Sequence, residues 1–186
     1  MQMSGSRFTA LLLQICMVLS AALLDTAAIN VLFFKNQRSV TDMNQDQIRT
    51  LIETAAAQRQ FSYAPYSEYR VGAALLAADG RVFTGCNVEN AAYGPSICAE
   101  RTAIAKAVSE GVHSFSAICV VGGHADEPDD YSTPCGFCRQ TLREFCAPDF
   151  QIIVAKNTED YKVFTLDQLL PESFGPENLR MKVRID

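Results

Sequence analysis

Ser96-Ile97-Cys98-Ala99-Glu100-Arg101, running on through Thr102 to Val108, opens a helix with a thiol and sets a carboxylate two residues behind it. Gly111 closes that helix. Acids are favoured in a first helical turn. Glu100 alone therefore reads as a helix-end charge, and Cys98 alone as a packing thiol. A metal site is the rival reading, and the flanking elements decide between them.

Downstream, FSAICVVGG at 115–123 is a nearly continuous apolar strand, the pattern of a strand covered on both faces. An acidic loop, Asp126 to Asp130, leads to CGFCRQTLREFC, which places Cys138, Leu142 and Phe145 on one helical face. QIIVAKN and YKVFTL read as two more strands around Asn157 to Asp160, followed by a short helix near Leu166 to Leu170. Upstream, VGAALLAADGRVFTGCNV is two apolar runs about the turn Ala78-Asp79-Gly80, a hairpin. Before it, in a domain that starts near Asp46, Ile48, Leu51, Ile52, Ala55 and Ala56 mark an amphipathic helix that ends before the turn residues Ser62 to Ser67. The order α-β-β-α-β-α-β-β-α predicts a sheet of about five strands between helical layers.

The chain has 186 residues, 48% of them apolar, enough for one domain with a real core plus an extension. A net charge of −5 and a pI near 5.1 argue against nucleic acid as the principal ligand, since such affinity rests on Lys and Arg neutralising phosphates. A small uncharged substrate suits this surface better. Seven cysteines, Cys16, Cys86, Cys98, Cys119, Cys135, Cys138 and Cys146, are an odd set without regular spacing, so reduced thiols, some on metal, are expected. Residues 1–44 read as an extension and linker, and 45–186 as the folded domain. From Phe8 to Leu24 the run FTALLLQICMVLSAALL carries one amide, Gln14. It reads as a signal peptide beginning at Arg7, as a slightly short membrane anchor, or as an added segment of no targeting role. Arg7 on one side and Lys35 with Arg38 on the other set no orientation.

Pro134-Cys135-Gly136-Phe137-Cys138 is a CxxC at a helix start, open to three uses: half of a structural zinc site, a redox pair, or part of a catalytic metal site. A structural zinc site normally closes with four protein ligands. Neither Cys146 nor His113 nor His124 shows the spacing for a fourth, so three ligands and an open place is the simplest count. An open position is what a catalytic zinc needs, because the ion lowers the pKa of a water there from 15.7 to about 7. Glu100 then gains a task as proton shuttle beside the metal. Ligand-x-Glu followed by P-C-x-x-C is the combination described for zinc deaminases. Three thiolates leave the ion with net negative charge; the two helix N-termini and a donor to the sulfurs, Arg101 or Arg139, would offset it.

APYSEYRVGAALL, GCNVENAAYGPSICAERTAIAKAVSEG, PCGFCRQTLREF and LLPESFGPENL together resemble the small, three-cysteine, homotetrameric cytidine deaminases. The resemblance covers about Gln45 to Leu179. It implies a three-layer α/β/α fold around a mixed five-stranded sheet and one Zn2+ per subunit. It also implies conversion of cytidine and deoxycytidine to uridine and deoxyuridine plus ammonia, in cytosolic pyrimidine salvage. Carried onto this chain, it gives Cys98, Cys135 and Cys138 to zinc, Glu100 to acid/base work, and Asn87 and Glu89 to the ribose 3′-hydroxyl. Ala99 becomes a substrate contact, Thr133 a backbone acceptor for the base's amino group, and Phe174 a residue that packs the base in a neighbouring subunit. Tyr69 and Arg70 depart from the family's Phe-Pro; tyrosine keeps the ring but brings a hydroxyl that needs a partner when buried.

Related readings are deamination of an aminonucleoside antibiotic or of free cytosine, against which NVEN favours a nucleoside. Polynucleotide deamination fits poorly with the acidic balance. A non-catalytic zinc-stabilised interaction domain is opposed by Glu100 and the missing fourth ligand. Membrane contact enters only if the N-terminal segment is an anchor.

Overall fold

The structure, a computed structural model, describes residues 43–124, 128 and 130–179. The N-terminal apolar run and most of the acidic loop lie outside the described residues. Helix α1 (Gln45–Gln58) opens on a reciprocal cap between Asn44 and Gln47, in which each side chain accepts from the other's backbone N–H. A 3-10 turn (Arg59–Phe61) follows, then β1 (Arg70–Ala77), β2 (Val82–Cys86), α2 (Ala99–Ser109), β3 (Phe115–Gly123), α3 (Gly136–Phe145), β4 (Gln151–Ala155), β5 (Tyr161–Thr165), α4 (Leu166–Leu169) and a last 3-10 turn (Pro176–Leu179).

The sheet has the order β2-β1-β3-β4-β5. β3 and β4 pair in parallel, with Cys119 opposite Ile153; the other neighbours are antiparallel, which makes the sheet mixed. A parallel pair needs a crossover, and α3 supplies it. Side chains alternate across the strands, so each face of the sheet has its own core. Ala73, Leu75, Ile118, Val120, Ile152 and Val154 pack against α2, α3 and α4 on one face. Ala74, Cys119, Val121, Ile153 and Ala155 pack on the other against Ile48, Leu51, Ile52 and Ala55 of α1. This is the expected α/β/α sandwich of three layers.

Helix α2 lies directly on β2. A Cβ at Gly85 would stand 2.2 Å from the Ala99 carbonyl oxygen and 2.5 Å from the Ala103 nitrogen, so only glycine lets the first turn of the helix come this close. Buried Arg59 braces the opposite face, its Nε donating to the Arg70 carbonyl and its Nη2 to that of Gly123, each at 3.2 Å. No helix among the described residues is long and apolar enough to cross a membrane.

Candidate active site

Cys98 and Cys135 are the N-cap residues of α2 and α3. Both have extended backbone angles, and both carbonyls accept a first helical bond, from Thr102 and Arg139 at 3.0 Å. Neither side chain caps its helix, which leaves both sulfurs to face each other. The Sγ atoms of Cys98 and Cys135 stand 3.7 Å apart and those of Cys135 and Cys138 3.6 Å apart; all three sulfurs lie within 4.8 Å of one another. Thiolates on a tetrahedral zinc, with Zn–S of about 2.3 Å, sit about 3.8 Å apart. The donor set therefore fits that ion. Among the described residues no fourth Cys, His, Asp or Glu joins the group.

Glu100, in the first turn of α2, is 4% exposed and lines one cavity with Cys98 and Cys135. Burial pushes its pKa up, against the weaker opposing pull of its own backbone N–H, the Cys138 thiol and Arg101. The Cys98 thiol is pulled down to about 7, first by its hydrogen bond from Cys138, with Arg101 and Cys135 helping. Cys138 moves the other way, first because it is the partner that keeps that proton and then because it is desolvated. Cys119 and Cys146, buried in the two cores, are raised by desolvation.

A cavity of about 370 Å³ opens over this cluster where β2 ends and β1 begins. Tyr69, Asn87, Glu89, Ala99 and Thr133 line it together with Cys98, Glu100 and Cys135. Asn87 and Glu89 arrive there because Val88 pairs with Ile97 on one side and Tyr63 on the other, seating the segment beside the start of α2. The Asn87 amide is largely committed within the chain. Its Oδ1 accepts from Val71 N–H at 2.8 Å and from the Ser62 hydroxyl, and its Nδ2 donates to the Tyr69 carbonyl at 2.8 Å. One N–H remains for a ligand. The Glu89 carboxylate accepts from the Ser67 hydroxyl and from the backbone N–H of Tyr66 at 2.9 Å and Ser67 at 3.3 Å, and these bonds hold its pKa below the usual range.

Four expected residues are outside the cavity lining. Cys138, the third sulfur of the cluster, is fully buried. Phe174 stands outside the cavity and exposed; Gln140 Nε2 donates to its carbonyl at 2.9 Å, and buried Arg143 anchors the same segment through Ser173 and Glu177. Arg139 does not reach the sulfurs: Nε donates to the Pro134 carbonyl at 2.6 Å and Nη1 to that of Leu169 at 2.7 Å, so it ties down the loop and α4 instead. Arg101 acts on Cys98 and Glu100 by its charge alone. Sequence reading passed over Ser67 and Ser132, both in the cavity wall, because a lone serine carries no spacing signature.

Comparison with known proteins bears on the same residues. The family model described as the cytidine and deoxycytidylate deaminase zinc-binding region matches residues 45–154. The chain is 46% identical to the cytidine deaminase of Sporosarcina psychrophila over 132 residues, 71% of this chain and 94% of that one. It is 44% identical to a probable cytidine deaminase of Dictyostelium discoideum over 144 residues, 77% of this chain and 95% of that one. Among solved structures, the cytidine deaminase of Burkholderia pseudomallei superposes with a TM-score of 0.62 at 46% identity, covering 67% of this chain and 97% of that one. With three sulfurs gathered at two helix starts, a buried carboxylate beside them and relatives matched along nearly their whole length, the chain belongs to the zinc-dependent cytidine deaminase family.

Proposed function

We propose that the chain hydrolytically deaminates cytidine and deoxycytidine, giving uridine and deoxyuridine with release of ammonia, in a domain spanning 45–186. The observation that carries this is a three-sulfur cluster at tetrahedral spacing with the buried Glu100 lining the same cavity as two of its sulfurs. Cys98, Cys135 and Cys138 would hold one zinc ion per subunit, which when bound would supply Lewis acidity at a position that no Cys, His, Asp or Glu among the described residues fills. The Glu100 carboxylate takes a proton from the attacking water and returns protons to N3 and to the departing amine. Burial suits it to hold that proton between the two transfers.

The remaining residues orient the substrate. The spare N–H of Asn87 and a Glu89 oxygen take the ribose 3′-hydroxyl, and leaving such groups unpaired penalises a substrate that lacks the partner. Ala99 offers a first-turn N–H, which has no acceptor within the helix, and the Thr133 carbonyl accepts from the base's amino group. The residues lining the cavity include two carboxylates, Glu89 and Glu100, and no Lys or Arg. Phosphate recognition depends on such cations, so a nucleoside is favoured over a nucleotide.

Exposed Phe137 and Phe174, at 78% and 58%, suit an assembly that covers them, and we assign a homotetramer in which Phe174 reaches a neighbouring site. Cytosolic pyrimidine salvage is the setting this reaction fits. Metal analysis alongside an ultraviolet assay of cytidine loss tests the reading: zinc at one per chain with turnover is expected, and a Glu100→Ala chain that still deaminates cytidine would refute the role of Glu100.

A further inference from the structure

Tyr69 precedes β1 and Ser132 lies in the loop leading to Cys135. Their side chains, from segments 63 residues apart in the chain, both line the cavity and meet hydroxyl to hydroxyl at 2.5 Å. The other hydrogen bonds of Tyr69 run to the side that carries Asn87 and Glu89: its N–H donates to Ser67 Oγ at 3.0 Å and its carbonyl accepts from Asn87 Nδ2 at 2.8 Å. His124, the residue after β3, meets the ring edge-on with centroids 4.9 Å apart. Ser67 in turn donates to Glu89. Ser132 rests on Gly122 of β3, where a Cβ would lie 2.3 Å from its Oγ; that position must stay bare for the loop to seat. Its neighbours in the loop are held by residues outside the cavity lining: the Tyr131 hydroxyl donates to Asp160, and Arg139 donates to the Pro134 carbonyl. The Tyr69–Ser132 bond thus joins the wall that carries Asn87 and Glu89 to the wall that carries Thr133 and Cys135.

We propose that Ser132 is a positioning residue that, through its hydrogen bond to Tyr69, fixes the aromatic ring and the separation of the two walls and so sets affinity for the nucleoside. The inference rests on the deaminase reading above. Val71 and Val120 also line the cavity, so a Tyr69 hydroxyl without Ser132 would lack a partner in a partly apolar wall and would turn the ring to find one. Neither residue is hydrogen-bonded to Glu100, and the proton transfers are left to that carboxylate.

The test compares Tyr69→Phe, Ser132→Ala and the double variant in the zinc-loaded full chain, by cytidine kinetics, calorimetric binding of uridine and thermal melting. Each single variant is expected to raise KM for cytidine and Kd for uridine about two- to tenfold, the range of one neutral hydrogen bond, with kcat changed less than about twofold. The double variant should be no worse than the worse single, because both remove the same bond. Unmoved KM and Kd, additive losses, a fall in kcat matching that in kcat/KM, or a lowered Tm with unmoved KM each overturns the proposal. A wild-type chain that turns over cytidine while the variants match it sinks the positioning role alone. A wild-type chain that neither turns over cytidine nor binds uridine sinks the deaminase reading and this proposal with it.

Discussion

Helices α1 and α4 open with reciprocal capping bonds, Asn44 with Gln47 and Thr165 with Gln168, whereas α2 and α3 open with cysteines whose side chains cap nothing. Asn and Thr satisfy first-turn N–H groups that would otherwise lack partners; a thiol is a poor substitute. Neither ordinary start lines the cavity over the sulfurs. The two unusual ones meet at the sulfurs. The molecule gives up local helix stability where it needs a metal and keeps it where it needs only a helix, and departures from good capping are therefore signposts of function.

The largest effect should come from leaving both cysteine starts intact and removing the carboxylate behind one of them. Glu100→Gln is expected to slow cytidine deamination by about 10²–10⁴-fold, the usual worth of general acid/base action, with zinc by atomic absorption still one per chain. Next is Cys135→Ser, which turns an unusual start into an ordinary one. Zinc should be lost, and the melting temperature should fall below that of the zinc-loaded wild type, because bound metal contributes to folding. In metal-free chains the order should reverse, with the serine cap adding about 1 kcal/mol in urea titration. No reversal would mean that the cysteine start costs nothing. Asn44→Ala is the converse, a loss of about 1 kcal/mol with kcat and zinc content unchanged.

The smallest effect concerns the thiols that never meet the metal. Cys119 and Cys146 have folded pKa values raised by burial above the ordinary 9.0. Below pH 9 the thiol is protonated in both states and stability is full. As pH rises above that, the unfolded chain loses protons that the folded chain retains, and stability falls. Melting curves should show this alkaline decline, and Cys119→Ala should make it shallower.

Local elements were legible because their signals are local: the 3.6-residue period of Ile48, Leu51, Ile52 and Ala55, the turn at Asp79-Gly80, and the continuous apolar run of β3. The order of strands and the parallel pairing of β3 with β4 were not, since pairing joins residues far apart in sequence. The same division holds at the site. Cys98, Glu100, Cys135 and Cys138 announce themselves by spacing. Arg59 and Arg143 look like solvated helix charges, yet they are buried because main-chain carbonyls in one case, and Ser173 and Glu177 in the other, come to meet them from distant segments. Ser132 is equally silent until Tyr69 and Gly122 close around it.

The contact of β2 with α2 at Gly85 has a consequence for how the enzyme tolerates change. A methyl group there would act as a shim under the helix, lifting its first turn from the strand and swinging thiol and carboxylate out of their shared aim. Turnover thus depends on the thinness of a strand residue outside the cavity lining, and a mutation scan confined to residues that touch the ligand would overlook it.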